Sequence, residues 1–382
     1  MENRFTIFHL DDGKELRGGQ RQLLYLAKEL NALGHRNTVV CRNGSPLQQA
    51  ALAKNLDTLT LPYFFEWDPV SAILLRNALA ELPRAAGALP PVLHSHTSHT
   101  AAVSWLAAAG LRCLRITHRR VDFIPGRLTA RVKYAGADGV IAISKAVKDI
   151  LLKAGVPAEK IALINSSIDL GETPWKEGAL PAYRAAARAE LAAELGIPAG
   201  AFWAGSLIAL VPHKDPENMV RAAALVLKEA PQTFFLIAGE GPLAEKTGRL
   251  ARELGVQDRF KLIGYRREPY KILAALDLFV LSSAEEGMGS VLVEAMNAAL
   301  PIAATTAGGI GDVIKDGVNG LTAPPRDPAA LAKAQLRLIN DGELRSRLAR
   351  EAVRSLGDFS STRMAALTIK CYETALKDLK HN

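Results

Sequence analysis

Short apolar segments alternate with longer helical stretches along both halves of this chain, and this alternation restricts the possible folds more than any other feature. In the first half, strands are predicted at residues 4–10, 37–41, 92–96, 114–117, 139–143 and 162–164. Helices are predicted at 20–33, which ends at Gly34, and at 145–154, for which Ser144 is the N-cap. Strands that alternate with helices in this way predict a parallel, doubly wound α/β sheet.

The second half repeats the pattern after a polar, turn-rich linker. The linker covers 165–200 and contains an Ala-rich helix at 183–195. Strands are predicted at 203–210, 233–238, 260–263, 278–281 and 302–305, and a last helix at about 361–379. Because 382 residues are too many for one ordinary core, the chain is predicted to form two α/β domains.

The composition favours a globular protein of a reducing compartment. Hydrophobic residues make up 49% and charged residues 23% of the chain, which is typical of packed domains. No apolar run approaches the ~20 residues of a membrane helix, and the N-terminus carries an early acid, Glu2, without the apolar core of a signal peptide. Cys41, Cys113 and Cys371 are far apart, as expected of buried free thiols. A cytoplasmic location is therefore expected.

Positive charge is concentrated in the first half. Residues 1–170 carry 21 Lys and Arg against 14 Asp and Glu, a net charge of +7, whereas residues 171–382 carry 26 against 25, a net charge of +1. A basic half attracts nucleic acid, anionic lipid or an anionic substrate, or it serves solubility alone. No RNP-like or helix-turn-helix pattern supports nucleic acid. Weak, reversible contact with anionic membranes is predicted from one cluster, which consists of Arg112, Arg115, Arg119, Arg120, Arg127, Arg131 and Lys133 with Phe123 and Tyr134 interleaved.

Several common motifs are absent. The chain has no GxxxxGK[ST] phosphate loop, and the glycines of residues 239–242 follow a strand but lack the third glycine of a dinucleotide-binding turn. There is no HExxH and no Cys/His cluster at metal spacing. His94, His96 and His99 lie close in sequence, but they have no obvious carboxylate partner, so a polar strand-end loop is favoured over a metal site.

The strongest signal is the segment 282–296, which follows a predicted strand and enters a helix. Gly287 and Gly289 allow a ligand to approach the backbone closely. Ser290 lies at the predicted N-cap, so the amides of residues 287–292 are expected to point from a helix N-terminus toward a phosphate. Glu286 and Glu294 suit sugar and ribose hydroxyls. The alternative, an acidic loop before a core helix, is equally compatible with these residues.

The same segment resembles the Glu-x7-Glu signature of the family 4 retaining glycosyltransferases. Further similarities to that family lie at residues 17–20, 142–144, 238–242, 264–266, 301–310 and 316–321, so the resemblance covers nearly the whole chain. The Arg-Gly-Gly-Gln loop at 17–20 is similar to that of enzymes that build bacterial lipopolysaccharide or other lipid-linked glycans. The resemblance implies the GT-B fold, in which two Rossmann-like domains face a cleft. Residues 1–170 would form the acceptor domain, to which the helix at about 361–382 would return, and 171–360 the donor domain.

The resemblance also implies roles for individual residues. Glu286 would contact the donor sugar, and Glu294 the nucleotide ribose. The catalytic residues would be His118, Lys214 and Glu286. The residues expected to bind the donor are Gly18, Gly19, Lys214, Gly239, Tyr265, Arg266, Glu286, Gly287, Met288, Gly289, Ser290 and Glu294. The residues expected on the acceptor side are His118, Arg119 and Arg120.

One departure concerns the diphosphate. The family places an arginine and a lysine there in an Arg-x4-Lys arrangement, and Lys214 fits the lysine while Ala209 occupies the arginine position. Either Arg266 or another base substitutes, or the donor binds differently. The expected reaction needs no metal and no cofactor, and the partners are a nucleotide-sugar donor and a glycan or lipid-linked acceptor. A nucleotide-sugar epimerase on the same fold and a non-catalytic nucleotide-sugar binding protein remain as alternatives.

Overall fold

The computed structural model describes residues 4–82, 88–121, 124–169, 172–176 and 178–381. The chain divides into two compact units. Unit 1 consists of Met1–Ile168 with Phe359–Asn382, and unit 2 of Asp169–Asp358. Within the described ranges, no helix is both long enough and apolar enough to cross a membrane.

Unit 1 is built on a parallel sheet of seven strands. They are β1 Thr6–Leu10, β2 Arg36–Cys41, β3 Asp57–Thr60, β4 Val92–Ser95, β5 Leu114–Arg119, β6 Gly139–Ala142 and β7 Ile161–Leu163. Their order across the sheet is β3-β2-β1-β4-β5-β6-β7. The order reverses between β1 and β4, and open sheets of this kind bind ligands beyond the carboxyl ends of the strands at such a switch point.

Helices connect these strands. They are α1 Gly18–Ala32, α2 Pro46–Ala53, α3 Pro69–Ala80, α4 Ser98–Ala108, the short α5 Arg127–Thr129, which continues as a π-helical turn at Ala130–Ala135, and α6 Lys145–Lys153. Ser144 caps α6 as predicted, because its side chain accepts from the Val147 amide at 3.2 Å. The core on one face of the sheet gathers Ile7, Leu26 and Ile116, all almost fully buried.

Unit 2 has the same arrangement with six parallel strands. They are β8 Phe202–Leu207, β9 Thr233–Ala238, β10 Phe260–Leu262, β11 Leu278–Leu281, β12 Ile302–Thr305 and β13 Leu321–Ala323, in the order β10-β9-β8-β11-β12-β13. The helices are α7 Leu180–Leu195, α8 Pro216–Glu229, α9 Ala244–Glu253, α10 Pro269–Ala275, α11 Ser290–Asn297, α12 Ile310–Val313, α13 Pro328–Asn340 and α14 Gly342–Arg354. The switch point lies between β8 and β11, whose following loops carry Lys214 and Glu286 respectively.

The C-terminal helix α15, Ser361–His381, packs in unit 1 against α1 and the sheet. Ser361 Oγ donates to Glu29 Oε1 at 2.8 Å. Tyr372 is fully buried, and its hydroxyl lies 2.7 Å from His94 Nδ1. The last helix therefore completes the core of the unit that contains the N-terminus.

Candidate active site

In unit 2, the loop between β11 and α11 carries the predicted donor motif. Gly289 is the N-cap of α11, with φ +78° and no side-chain cap, and a Cβ there would lie 3.0 Å from Leu292 Cδ1. Ser290 is the first helical residue, so its prediction as the N-cap was wrong: the chain enters the helix through a left-handed turn that favours glycine. Leu292 N–H donates to Gly289 O at 2.8 Å, so this amide, which was expected to face a phosphate, is already used.

Glu286 and Lys214 meet at the centre of this region. Lys214 ends the 3₁₀ turn Pro212–Lys214 after β8, and its ammonium group forms an ion pair with the Glu286 carboxylate. Ser283 Oγ donates to the same carboxylate at 3.2 Å. Both side chains of the ion pair are largely buried, so the pair is partly shielded from water and is held in one geometry.

Backbone contacts fix the two loops against each other. The amides of Ala284 and Glu285 donate to His213 O at 2.9 and 3.1 Å. Ser282 Oγ donates to the carbonyls of Lys214 and Asp215 at 3.1 and 3.0 Å. The structure thus brings together two predicted residues that are 72 positions apart. Glu294 lies in the second turn of α11 and is half-buried.

The predicted donor residues of the β9 and β10 loops have other partners. Gly239 has φ +149°, and a Cβ there would lie 1.9 Å from Ile208 O, so backbone packing alone requires glycine. Tyr265 is exposed. Arg266 donates to Ile263 O at 2.9 Å and pairs with Glu194. Neither contact of Arg266 involves Lys214, and nothing in the described structure shows Arg266 replacing the arginine missing at Ala209.

A separate cavity of about 600 Å³ lies in unit 1 beyond the carboxyl ends of the strands. The ends of β1, β4 and β5, the first turn of α1 and the turn before α5 contribute to it. Its lining includes Asp11, Asp12, Gly19, His99, His118, Arg119 and Arg120. The structure therefore brings Gly19 and all three predicted acceptor-side residues to one cavity.

A buried histidine network borders this cavity, and its hydrogen bonds define the tautomers. Asn37 Nδ2 donates to Asn31 Oδ1 and His35 O, so Asn37 Oδ1 accepts from His9 Nε2 at 2.9 Å. His9 Nδ1 then accepts from His96 Nε2 at 3.1 Å. Burial lowers the pKa of both His9 and His96, so each of these two imidazoles is neutral, with one donor and one acceptor nitrogen.

Arg120 lies at the end of the network. Its Nη2 is 3.2 Å from His96 Nδ1 and 3.3 Å from His118 Nδ1. Burial lowers the pKa of His9 to about 4 and the pKa values of His96 and His118 well below their usual range. Burial also lowers the pKa of Arg120 to about 10, against the opposing charge of Asp11. Two imidazole lone pairs thus orient the guanidinium, and this geometry supports a positioning role for His118.

His94, His96 and His99, which the sequence analysis disfavoured as a metal site, do not form the group of ring nitrogens that the structure brings together. His99 is partly exposed and its Nδ1 lies 3.1 Å from Asp12 Oδ2, whereas His9 joins His94 and His96 with ring nitrogens within 4.8 Å of one another. A cation at these nitrogens would displace the proton that His96 donates to His9, with the charge of Arg120 close by. The hydrogen-bonded network therefore explains the cluster better than a metal site does.

Most of the predicted basic cluster is engaged within unit 1. Arg119 donates to the Tyr134 hydroxyl at 2.8 Å, Arg115 pairs with Asp138, and Lys133 pairs with Glu66. The members that remain exposed are Arg112, Arg127 and Arg131. Phe123 lies outside the described residues. Fewer members of the cluster therefore present positive charge to solvent than the sequence predicted.

Comparison with protein families assigns both units. Residues 16–172 match the model described as Glycosyltransferase Family 4, and residues 187–354 match the model described as Glycosyl transferases group 1. The chain is a glycosyltransferase of the family 4 type. The recognition of the family from the segment 282–296 is confirmed.

Similar proteins and structures agree with this assignment. The glycosyltransferase is 25% identical to the D-inositol 3-phosphate glycosyltransferase of Thermobispora bispora, over 75% of this chain and 71% of that protein. It is 31% identical to the lipopolysaccharide core biosynthesis glycosyltransferase LpsE of Rhizobium meliloti, over 44% of this chain and 48% of LpsE. Anabaena HepE in complex with UDP and glucose shares its fold, with a TM-score of 0.81, 21% identity and coverage of 97% of this chain and 100% of HepE. The expected GT-B fold is confirmed.

The residue that follows Lys214 in the glycosyltransferase was not singled out from the sequence. Asp215 follows Lys214 and caps α8. Burial raises the pKa of Asp215, while the charges of Arg326 and Arg221 act in the opposite direction. Arg326 lies in the β13–α13 loop and Arg221 in α8, outside any recognised motif, so only the fold brings their charges near Asp215.

Proposed function

We propose that this glycosyltransferase moves a sugar from a nucleoside-diphosphate sugar to a glycan or lipid-linked acceptor, with retention of anomeric configuration and without a metal. The observation that carries the donor assignment is the buried Lys214–Glu286 pair beside the N-terminus of α11. An ammonium group and the positive end of a helix are suited to the charge that develops on a leaving phosphate.

The two members of the ion pair would act on different parts of the donor. A diphosphate would compete with Glu286 for Lys214, because phosphate oxygens accept charge-assisted hydrogen bonds as strongly as a carboxylate does. Glu286, still held by Ser283 at 3.2 Å, would then accept from hydroxyls of the sugar. Glu294, eight positions later in α11, would accept from the ribose hydroxyls.

We propose the following reaction for this arrangement. The acceptor hydroxyl oxygen bonds to the anomeric carbon while the bond from that carbon to the donor phosphate breaks. The hydroxyl proton passes to the departing phosphate on the same face of the sugar, which gives retention. Lys214 stabilises the negative charge of the leaving group, and this removes the need for a metal ion.

The cavity of unit 1 supports the acceptor side of the proposal. It combines the carboxylates of Asp11 and Asp12, which suit hydroxyl groups, with the oriented guanidinium of Arg120, which suits an anion. An acceptor with both hydroxyls and negative charge fits this lining. Lipopolysaccharide precursors and other lipid-linked glycans belong to that class, and we place the enzyme at the cytoplasmic face of the membrane.

Product analysis tests the proposal. A thermal-shift screen with nucleoside diphosphates first identifies the base, and the matching nucleotide sugar is then incubated with the enzyme in excess EDTA, with and without a glycolipid extract. We expect sugar transfer only when acceptor is present. The new glycosidic linkage should have the same anomeric configuration as the donor sugar. Conversion of the donor sugar to an epimer without any acceptor would instead establish the epimerase alternative, and an inverted linkage would refute retention.

A further inference from the structure

One segment of unit 1 exposes apolar side chains that the proposed transfer mechanism does not use. Phe64 and Phe65 are 68% and 60% exposed in the loop before α3. The same segment continues into α3, where the exposed apolar residues are Val70, Ile73 and Leu74. Their i, i+3, i+4 spacing places them on one face of the helix. Contiguous exposed apolar surface of this kind marks a site of interaction.

Tryptophans and a second turn extend this surface. The ring of Trp67 lies edge-to-face against Trp105 of α4, with centroids 5.9 Å apart, and both rings are partly exposed. Ile124, in the turn before α5, and Leu128, within α5, are 68% and 73% exposed. The name apolar surface is used below for the exposed apolar side chains of Phe64, Phe65, Trp67, Val70, Ile73, Leu74, Trp105, Ile124 and Leu128.

Lys133 links the two parts of the apolar surface to the cavity of unit 1. Its ammonium group pairs with Glu66, lies 5.4 Å from the centre of the Trp67 ring and donates to Ser98 Oγ at 3.1 Å. Ser98 and Ile124 both line the cavity. The apolar surface therefore borders the rim of the proposed acceptor site.

We propose that the apolar surface inserts into the interfacial layer of an anionic lipid bilayer, so that the cavity receives the polar part of a membrane-held acceptor. The docking depends on the apolar surface alone, whereas the link to the acceptor rests on the proposed function. Trp and Phe are side chains that interfacial proteins place at the headgroup level. α3 has 12 residues, so it suits a helix that lies in the interface.

Charge selects a bilayer over a second copy of this chain. Arg127 and Arg131 are exposed on either side of Leu128, and residues 1–170 carry a net charge of +7. Two such surfaces facing each other would place like charges together, whereas anionic headgroups would complement them. The apolar contribution also changes the expected salt response: attachment through charge alone is screened at about 1 M salt, but inserted side chains hold the protein there.

Vesicle co-sedimentation of the full chain tests the proposal. We expect binding to vesicles of phosphatidylglycerol with phosphatidylethanolamine, weaker binding to phosphatidylcholine alone, and a measurable fraction still bound at about 1 M salt. The double variant Phe64→Ser/Phe65→Ser should lose binding by about tenfold or more at either salt concentration. The matched control Leu254→Ser/Val318→Ser removes two exposed apolar side chains of unit 2 and should bind as the unchanged protein does. Equal binding by Phe64→Ser/Phe65→Ser and the control would overturn the proposal.

Tryptophan fluorescence provides an independent readout. Two of the four tryptophans, Trp67 and Trp105, lie in the apolar surface, and brominated lipids should quench them. The variant Trp67→Phe/Trp105→Phe should lose most of that quenching, since Trp203 is fully buried and Trp175 is half-buried in unit 2, outside the apolar surface. Quenching that is unchanged in this variant, or a dimer in solution that Phe64→Ser/Phe65→Ser dissociates, would contradict docking to lipid.

Nucleotide binding without vesicles separates this inference from the proposed function. Phe64→Ser/Phe65→Ser should give the same thermal shift with a nucleoside diphosphate as the unchanged protein. Normal nucleotide binding with no vesicle binding in the unchanged protein would refute the docking surface alone. Vesicle binding without any nucleotide response would refute the donor assignment alone.

Discussion

The candidate sites of the two units handle charge in opposite ways. In unit 2, Lys214 and Glu286 carry opposite charges that neutralise each other in direct contact. In unit 1, Arg120 carries one positive charge that neutral imidazoles of His96 and His118 orient. A ligand can break the ion pair of unit 2 and bind both Lys214 and Glu286. In unit 1, a ligand can bind the Arg120 guanidinium without breaking an ion pair. The first arrangement suits chemistry on a ligand with both phosphate and hydroxyls, and the second suits positioning of an anion.

Removal of the Glu286 carboxylate tests the role of the ion pair in unit 2 and should have the largest effect on turnover. Glu286→Ala leaves Lys214 without its partner and the donor sugar without an acceptor group. Turnover should fall by about 10²–10³-fold, while affinity for the donor changes less. Steady-state kinetics would show this as a change in kcat.

Glu285→Ala is the matched control for that experiment, because Glu285 is the exposed neighbour of Glu286 and should keep turnover. Nearly unchanged turnover in Glu286→Ala would refute the assigned role.

The second carboxylate of the motif should act on affinity instead. Glu294→Ala is expected to weaken binding of a nucleoside diphosphate by about 2–3 kcal/mol, since the ribose hydroxyls would lose a charged acceptor. Isothermal titration with the diphosphate alone checks this without any contribution from the sugar. Glu286→Ala should lose less affinity for the diphosphate than Glu294→Ala does. The reverse order would indicate that Glu286 contacts the ribose and Glu294 the sugar.

The two sites also differ in how far they could be predicted. Glu286 and Glu294 lie in one loop and helix, so a linear motif revealed them. The histidine network depends on strand register: His9 of β1 pairs with His94 of β4, and Tyr372 joins from the last helix. Proximity in sequence suggested His99 instead of His9, because the strand order was not known.

Errors in the fold have similar local causes. β3 and β13 were not predicted because their apolar pattern is weak: Leu59 is the one apolar residue of β3, and Thr322 interrupts β13. Ser290 was placed as an N-cap by residue preference, but the left-handed turn at Gly289 decided the helix start. In α3, Leu75 and Leu79 face the core while Ile73 and Leu74 are exposed. A helix that is apolar on several faces does not reveal from its sequence which face is buried.

Acid should destabilise unit 1 through its neutral histidines. Their folded pKa values are lowered, to about 4 for His9, whereas an unfolded imidazole titrates near about 6.5. Between these pKa values the unfolded chain binds more protons than the folded chain. The contribution of these histidines to the free energy of unfolding is therefore fully present above about pH 7 and decreases as the pH falls below about 6.5. Each such group contributes a slope of at most about 1.4 kcal/mol per pH unit.

Urea unfolding at pH 5 and pH 7 measures this dependence. His118→Gln removes one titrating group of the network and should give a shallower loss of stability on acidification than the unchanged protein. His213→Gln exchanges an exposed histidine of unit 2 and serves as the control. An unchanged pH slope in His118→Gln would show that the imidazole is not held neutral by burial.

Removal of divalent metal ions should have the smallest effect, namely none. The proposed donor site already holds a cation in Lys214 beside a helix N-terminus, and the sequence contains no Asp-x-Asp pair. In unit 1, the ring nitrogens of His9, His94 and His96 lie within 4.8 Å of one another, but His96 uses its proton to bind His9 and its lone pair to hold Arg120. Turnover after dialysis against EDTA should therefore match that of the untreated enzyme, measured with the same donor and acceptor. Loss of activity that magnesium or manganese restores would place a metal at the donor phosphates and remove the argument for Lys214. If zinc alone restored the activity, and if His96→Gln prevented this restoration, the histidine network would be a metal centre. The contrast between the two units would then be reversed.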